Sequence, residues 1–393
     1  MSDIKEKANN HIEELARIER LKQDNQAKKT QIDNKRIGSE FQTMLQNEKD
    51  LEIAKTTNFG ALSEAQIEAL QKANKEYIEA ARQGMTFMFN STDDALGFDG
   101  VVPFFRKNLI LIGGVTGHGK STTVANIAYS VMKQKKPNGD YRSVCVLTNE
   151  EKSEDVFNRI TCLIKGWHYT NHDKFTDEQV KTFDAYIPKL AANGRLNVID
   201  NNYNGANGST TSIEGIEAIF DNILKSDIHY DVYIIDYYQN IKYSKNNPRL
   251  NEFEVQAMLA SKLDQYKNIL SGPIVIMAQV KAPDKEEKVP FEYRIKGRKV
   301  ITDPSTLILE MMADKENLRT EWWVHKSRFT ESVGKSFYTG YDHGQFIPYG
   351  NDFKAKVARL QEERAYRKLQ LDKPPNEALK DAFKEKEEEN GEE

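Results

Sequence analysis

A phosphate-binding loop is the feature that most restricts what this chain can fold into. Residues 114–121 read GVTGHGKS, which matches the pattern G-x-x-x-x-G-K-S/T in full. A short apolar run at 109–112 precedes the loop, and a run with helical periodicity at 121–132 follows it. A strand, this loop and a helix in that order form a phosphate-binding site, so the pattern predicts an α/β protein that binds a nucleotide together with Mg²⁺.

The residue types of the loop suit phosphate chemistry. Glycines allow backbone N–H groups to turn inward around phosphate oxygens, and the N-terminus of the following helix adds a favourable dipole. Lys120 can reach the outer phosphate oxygens, and the hydroxyl of Ser121 can bind Mg²⁺. The predicted nucleotide-binding residues are Gly114, Thr116, Gly117, His118, Gly119, Lys120, Ser121 and Thr122.

Short apolar runs alternate with longer helix-like stretches from residue 85 to residue 349. This alternation predicts a central, mostly parallel sheet covered by helices on both faces. The predicted strands are residues 109–112, 143–147, 197–199, 232–235, 274–277 and 321–324. Open sheets of this kind bind ligands beyond the carboxyl ends of their strands, so we expect functional residues there.

Three predicted strands end in side chains that suit nucleotide hydrolysis. Glu150 follows the second and can orient or deprotonate the attacking water, although a glutamate at the start of a helix also serves the helix dipole. Asp236 ends the fourth strand, where a carboxylate can hold Mg²⁺. Gln279 follows the fifth and can contact the terminal phosphate. A polar residue that merely ends a strand is the alternative for Gln279.

The last predicted strand leads to Lys326 and Arg328. Cations at alternate positions of a strand point the same way, which suits stabilisation of charge on a transferring phosphoryl group. Basic pairs at a sheet edge also serve solubility alone. The pattern therefore allows both a catalytic role and a surface role for this pair.

Six segments, in this order and spacing, resemble the motif series of the DnaB-like replicative helicases, a family of RecA-like ATPases: GVTGHGKST, VLTNEEKSEDVFNR, LNVID, DVYIIDYYQNI, GPIVIMAQVK and VHKSRFTESVG. The resemblance extends over residues 88–348. It implies a RecA-like ATPase domain that assembles as a hexameric ring around single-stranded DNA, with ATP at each subunit interface. It also implies that Lys326 and Arg328 act on the nucleotide of the next subunit, Arg328 as an arginine finger.

Within one subunit, the resemblance implies specific roles for the residues of the loop and the strand ends. It implies that Lys120 binds phosphate and that Ser121 and Asp236 serve Mg²⁺. It further implies that Glu150 activates water and that Gln279 senses the terminal phosphate.

The same resemblance places DNA contacts in two loops, residues 242–249 and 281–299. Their cations would hold the DNA backbone without regard to sequence. A solvated loop of mixed charge is the alternative. The predicted DNA-binding residues are Lys242, Lys245, Arg249, Lys281, Arg294, Lys296 and Arg298.

Four regions are predicted along the chain: a charged helical N-terminal extension at 1–60, a linker helix at 61–87, the ATPase domain at 88–350, and a helical then disordered acidic tail at 351–393. Ser63 and Gln66 have the spacing of a capping box, and an apolar helix face that includes Ile67 and Leu70 follows them. We expect this face to pack on its own domain or on the adjacent subunit.

Composition excludes several other classes of protein. The 393 residues contain no apolar stretch as long as a membrane span, and the polar N-terminus predicts no signal peptide, so we expect a cytoplasmic protein that makes no membrane contact. Two cysteines support neither a disulfide framework nor a zinc module. The net charge of −4 indicates that any nucleic acid is bound through local basic loops.

Together these features predict an ATP-driven, ring-forming replicative DNA helicase of the kind that bacteriophages encode, acting in the host cytoplasm. The expected partners are single-stranded DNA, other copies of the chain, and a primase, a loader or a single-strand-binding protein. One alternative is a RecA-like recombination ATPase that coats single strands without unwinding duplex. A second alternative is a KaiC-like regulatory ATPase that acts on protein partners and ignores DNA.

Overall fold

The computed structural model describes residues 63–82, 84–88, 98, 102, 104–169, 174–191, 194–201, 210–226, 228–283, 289–296 and 299–371. The predicted N-terminal extension at 1–60, the acidic end of the predicted tail and Arg298 lie outside the described residues. The chain divides into two compact units, Met1–Lys75 and Glu76–Glu393. The sheet and the predicted nucleotide site belong to the second unit.

One sheet organises the second unit, and its strands within the described ranges follow the order β3-β2-β4-β5-β1-β6-β7-β8-β9. Strands β1 to β6 are parallel, and β7, β8 and β9 continue the sheet as antiparallel strands. The strands are β1 Leu109–Gly114, β2 Val144–Thr148, β3 Leu196–Ile199, β4 Val232–Asp236, β5 Ile274–Gln279, β6 Leu307–Asp314, β7 Arg319–Ser327, β8 Ser336–Asp342 and β9 Gln345–Pro348.

Helices cover both faces of this sheet, as the alternating pattern predicts. Over the described residues, the helices of the chain are α1 Glu64–Arg82, α2 Lys120–Lys133, α3 Ser153–Lys165, α4 Asp177–Ala191, α5 Ile213–Lys225, α6 Glu252–Ile269, α7 Phe291–Arg294 and α8 Asn351–Leu371. Alternate side chains of β1 enter opposite cores: Ile110 and Ile112 pack with α2 and α3, while Leu109 and Leu111 pack with α5 and α6. Because both faces are buried, the parallel strands are continuous apolar runs.

The predicted capping box is present at the start of α1. The backbone N–H of Ser63 donates to Oε1 of Gln66 at 2.9 Å, and the N–H of Gln66 donates to Oγ of Ser63 at 3.3 Å. The helix nevertheless leaves apolar side chains in solvent, since Ile67, Leu70 and Ile78 are 42%, 57% and 42% exposed. No helix within the described residues is both long enough and apolar enough to cross a membrane.

The six predicted strands are confirmed, but β6, β8 and β9 are not predicted by the sequence pattern. Strand β6 reads LILEMMAD, and its Leu, Met, Glu and Ala residues favour helix. It is a strand because β1 and β7 lie on either side of it and pair with its backbone. Strands β8 and β9 are short and partly polar, so their periodicity is weak.

Strand β7 ends at Ser327, and Arg328 lies one residue beyond it. The prediction that Lys326 and Arg328 share a strand is therefore wrong for Arg328. Both side chains still converge on one carbonyl oxygen, that of Asp303, at 3.0 and 3.1 Å respectively.

Candidate nucleotide site

The glycine-rich loop joins the carboxyl end of β1 to the first turn of α2. Gly119 has a φ of 92°, a conformation that favours glycine, and α2 begins directly after it at Lys120. The hydroxyl of Thr123 donates to the carbonyl of Gly119 at 3.0 Å and secures this first turn. The structure places all the predicted nucleotide-binding residues together in this loop and turn: Gly114, Thr116, Gly117, His118, Gly119, Lys120, Ser121 and Thr122.

The ammonium group of Lys120 is held inside the loop. Its side chain is buried, and Nζ lies 3.5 Å from the carbonyl oxygen of Gly114. Burial lowers the pKa of Lys120, and the nearby cation of Lys296 adds to this effect, while the carboxylates of Glu150 and Asp236 oppose it. A triphosphate in the loop would supply the negative charge that this buried cation lacks.

Asp236 lies at the end of β4 and is only 2% exposed. Burial, together with Glu150 and Glu151, raises the pKa of Asp236 to about 7, although a hydrogen bond from Ser121 opposes the shift. Its Oδ1 atom is buried and has no hydrogen-bond partner within the described residues. A buried carboxylate with an unused oxygen beside a hydroxyl fits Mg²⁺, which uses one or two protein ligands together with phosphates and waters.

The described part of the chain contains no group of three or more His, Cys, Asp or Glu side chains able to hold a metal ion by themselves. Ser121 and Asp236 instead suit a cation that arrives with the nucleotide.

Two adjacent glutamates at the end of β2 have different surroundings. The carboxylate of Glu151 accepts a hydrogen bond from Arg159 at 2.5 Å, and the Arg159 guanidinium lies 4.1 Å from the ring centre of Tyr169. Glu150 is exposed and acts electrostatically on both Lys120 and Asp236. Glu150 therefore lies near Lys120 and Asp236, and its role in activating water stays a prediction.

Asn149 connects the ends of β2 and β4, a role that the sequence pattern does not reveal. Its Nδ2 donates to the carbonyl of Tyr237 at 3.0 Å, and its Oδ1 accepts from the N–H of Tyr237 at 3.1 Å. Its own N–H donates to the carbonyl of Asp236 at 2.9 Å. These bonds hold the strand ends that carry Glu150 and Asp236 in register.

The side chain of Gln279 contacts the phosphate loop. Its side-chain amide donates to the hydroxyl of Thr116. The buried residue Gln239 fixes the backbone of Gln279 by two further bonds, of 3.0 Å to the N–H and 2.9 Å to the carbonyl. Sequence reasoning missed Gln239, and its only signal is an amide close after the aspartate that ends β4.

His118 ties the loop to the end of β6. Its Nδ1 accepts a hydrogen bond from the N–H of Ala313 at 3.1 Å, so this nitrogen carries no proton. Burial lowers the pKa of His118, and the cations of Lys315 and Lys120 lower it further. A cavity of about 280 Å³ opens beside the loop, between apolar and aromatic walls that include Leu318, Tyr341 and Phe346. Its position and walls suit a nucleobase.

The model of the DnaB-like helicase C-terminal domain family matches residues 92–328, which is more than half of the chain. The chain belongs to the DnaB-like helicase family. The predicted resemblance is thereby confirmed, and with it the coarse function of a replicative helicase domain with ATPase chemistry. No curated protein matches the sequence.

Two solved structures share the fold of this DnaB-like domain. The ATPase domain of a phage helicase is 14% identical with a TM-score of 0.54, and the match covers 72% of this chain and 99% of that one. A DnaB-like replicative helicase, studied with its interactions with primase, is 15% identical with a TM-score of 0.53, and the match covers 76% and 70% of the two chains. The RecA-like α/β fold class is confirmed.

In the DnaB-like domain, Lys326 and Arg328 lie near the amino ends of the parallel strands, whereas the phosphate loop lies at the carboxyl end of β1. The N–H of Arg328 donates to the carbonyl of Thr306, and the N–H of Thr306 donates to the carbonyl of Leu109, which begins β1. Gly114 ends that strand, so at ~3.3 Å per residue the start of β1 and the phosphate loop are about 16 Å apart. The structure does not bring these two cations to the nucleotide site of their own chain.

Residues 242–249 form a loop whose cations Lys242, Lys245 and Arg249 are exposed. A single carboxylate organises this loop: Glu214, in the first turn of α5, accepts hydrogen bonds from the hydroxyl of Ser244 and from the N–H groups of Lys245 and Asn246. Burial raises the pKa of Glu214, but these hydrogen bonds outweigh burial, and the net pKa is lowered.

The second predicted DNA loop, residues 281–299, is only partly described. Lys281 and Lys296 are exposed near its two ends. Lys296 also influences the pKa of Lys120, so it lies within electrostatic reach of the phosphate loop.

Arg294 corrects one of the DNA-binding predictions. Its side chain is buried, and its guanidinium donates to both oxygens of Glu310, at 2.7 and 2.5 Å. A buried, doubly paired cation does not face a phosphate in solvent, because exposing it would leave Glu310 buried and unpaired. Arg294 is therefore a structural partner of Glu310 in this molecule.

Proposed function

We propose that this DnaB-like domain is the motor of an ATP-dependent replicative DNA helicase that assembles as a hexameric ring, translocates on single-stranded DNA and unwinds duplex. The observation that carries the proposal is the separation of the predicted catalytic residues between the two ends of the parallel strands. The phosphate loop, Glu150 and Asp236 lie at the carboxyl ends, while Lys326 and Arg328 lie near the amino ends. Such a set is complete only where two copies of the chain meet.

At the carboxyl ends of the strands, each residue has a role in hydrolysis that its surroundings support. Lys120 holds the outer phosphate oxygens, and Ser121 and Asp236 would hold Mg²⁺. When bound, Mg²⁺ neutralises charge that develops on the phosphate oxygens. Glu150 orients the attacking water and accepts its proton. Gln279 exchanges its bond to Thr116 for a contact with the terminal phosphate and so registers hydrolysis.

Near the amino ends of the strands, Lys326 and Arg328 complete the nucleotide site of the neighbouring subunit, Arg328 as the arginine finger. Arg328 lines a cavity of about 620 Å³, which leaves space for its side chain to contact that nucleotide. We propose that this head-to-tail arrangement closes into a ring, as such contacts do when the rotation between subunits closes. The exposed apolar side chains Ile67, Leu70 and Ile78 of α1 offer a second contact with an adjacent subunit.

Single-stranded DNA contacts the two basic loops. Lys242, Lys245 and Arg249 act from the first loop, and Lys281 and Lys296 act from the second. Contacts of this kind are independent of sequence and weaken with salt, as a motor that steps along any strand requires. One relative of similar fold interacts with primase, and we propose a primase, a loader or a single-strand-binding protein as partners of this chain as well.

The proposal is tested by ATP turnover with and without single-stranded DNA, together with unwinding of a forked duplex. We expect DNA to stimulate turnover and the fork to be unwound. Lys120→Ala should abolish both activities, while Lys181→Ala, at an exposed site on α4, should change neither. DNA-stimulated turnover without unwinding would instead indicate a recombination ATPase. Turnover that is indifferent to DNA would indicate a regulatory ATPase.

A further inference from the structure

A buried charged cluster links the second DNA loop to strand β7. The carboxylate of Glu310, on β6, is 2% exposed and accepts two hydrogen bonds from Arg294 on α7. The same carboxylate lies 2.8 Å from Nε2 of His325 on β7. Burial raises the pKa of Glu310, but the hydrogen bonds of His325 and Arg294 outweigh it, and the net pKa is lowered. Glu310 is thus the shared partner of two elements that are distant in sequence.

A bulge in β7 places His325 in this cluster. Val324 pairs with Leu309, whereas Lys326 pairs with Ile308, so His325 is the extra residue between the two pairs. Bulges re-aim side chains, and this one lies directly before the proposed trans-acting cation Lys326. His325 therefore joins the end of β7 to the cluster.

Backbone hydrogen bonds beside Arg294 join the two ends of the DNA loop. The N–H of Lys281 donates to the carbonyl of Arg294 at 2.7 Å, and Arg294 Nη1 donates back to the carbonyl of Lys281 at 3.3 Å. Two residues later, the N–H of Lys296 donates to the carbonyl of Gln279 at 3.0 Å. Lys281 is thus bonded directly to Arg294, and Lys296 lies two residues along the chain from it.

The same segment also touches the strand that carries the phosphate loop. The ring of Phe291 stacks on His325, with ring centres 4.4 Å apart and planes 15° apart. A Cβ added to Gly113 would lie 2.4 Å from the Phe291 ring, so only glycine lets helix α7 approach this closely. The cluster therefore occupies the space between β1, β7 and the DNA loop.

A buried ion pair is weak evidence for stability, because well-packed apolar residues often serve equally well. The buried charge of Glu310 needs another account. On the basis of the proposed function, we infer that Glu310 is a positioning residue that couples the trans-acting end of β7 to the DNA loop of the same subunit. When Lys326 and Arg328 engage the neighbour's triphosphate, β7 shifts, and His325 and Glu310 transmit the shift to Arg294. The loop thus responds to its own nucleotide through Gln279 and to the neighbour's through Glu310.

The test compares Glu310→Gln with the double variant Arg294→Met/Glu310→Leu, which replaces the ion pair by apolar side chains. Asp231→Asn is the control, since Asp231 is another ion-paired carboxylate, bonded to Arg142 at 3.2 Å, and has no part in either site. For each protein, the melting temperature, basal turnover, affinity for single-stranded DNA and DNA-stimulated turnover are measured.

We expect Glu310→Gln to keep basal turnover and DNA affinity within twofold of the wild type while losing at least fivefold of the DNA stimulation. The double variant should regain the wild-type melting temperature without regaining stimulation. Recovery of stimulation along with stability would show that the pair is only structural and would overturn the inference. Normal stimulation in Glu310→Gln, or loss of its DNA affinity, would overturn it as well.

These outcomes are distinct from failure of the proposed function. A wild-type protein whose turnover ignores DNA would remove the proposed function and this inference together. A wild-type protein that responds to DNA, beside a Glu310→Gln protein that responds equally, would remove only the coupling role of Glu310.

Discussion

Glu150 and Glu151 are neighbours in sequence, yet their side chains meet different partners. Arg159 neutralises Glu151, whereas Glu150 stays exposed beside Lys120 and Asp236. The same contrast separates two arginines: Arg328 is exposed just after β7, while Arg294 is buried against Glu310. In each pair the residue type is shared, and the surroundings decide which member is free to act.

Asp236 leads to a prediction about pH. Its pKa is raised from 3.8 to about 7 in the folded protein, so the folded state favours the protonated carboxyl. The stabilisation that this provides is complete below about pH 4 and is lost as the pH rises through 7. Asp236→Asn removes this penalty. Without Mg²⁺ and nucleotide, its free energy of unfolding relative to the wild type should rise by about 3 kcal/mol between pH 5 and pH 8.

Urea unfolding of both proteins at the two pH values measures this difference. Asp177→Asn, at an exposed position in the first turn of α4, controls for the loss of one negative charge. Mg²⁺ and ATP should shrink the difference, because a bound cation stabilises the ionised carboxylate. A difference that stays constant from pH 5 to pH 8 would contradict the assignment.

The loop at 242–249 depends on helix α5 for its shape. Glu214 lies in the first turn of that helix and accepts hydrogen bonds from three consecutive residues of the loop: Ser244, Lys245 and Asn246. All three bonds end on this one carboxylate. The helix thus holds the loop in one conformation, which would reduce the entropy lost in the proposed binding of DNA.

Glu214→Ala is expected to weaken binding of single-stranded DNA while leaving basal turnover intact. Ordering one or two residues of the freed loop costs about 1–2 kcal/mol, which corresponds to a roughly 5- to 30-fold rise in Kd. Fluorescence anisotropy of a labelled oligonucleotide at fixed salt measures the change. Glu217→Ala, on the same helix but paired with Lys262, should bind as the wild type does. Equal Kd values for all three proteins would argue against the role of Glu214.

The separation of the proposed catalytic residues between the two ends of the parallel strands is a property of the entire sheet. Strand β1 begins beside Arg328 and ends at the phosphate loop, so the length of one strand keeps the two parts of the site apart within a chain. In the proposed mechanism, neither group of residues is sufficient alone. Subunit contact is therefore a requirement for hydrolysis in the proposed mechanism rather than an addition to it.

Mixing two inactive proteins tests this requirement. Lys120→Ala lacks the phosphate contact but keeps Arg328, and Arg328→Ala has the reverse defect. In rings formed from an equal mixture, about one quarter of the head-to-tail interfaces join an intact loop to an intact finger. We expect turnover up to about that fraction of the wild-type rate, from two proteins that are each inactive alone. Mixed rings, shown by size to have formed, that remain inactive would exclude a trans-acting Arg328.

The sequence by itself determined the phosphate loop, the parallel core strands and the polar residues at their ends, because these depend on short-range patterns of glycine, apolar runs and charge. It did not determine strand β6, whose residues favour helix until β1 and β7 pair with it. It also did not reveal that Gln239 holds Gln279 or that Arg294 is buried against Glu310. Those contacts join residues far apart in the chain, and only packing in three dimensions decides which polar groups are satisfied inside the molecule and which stay exposed to act.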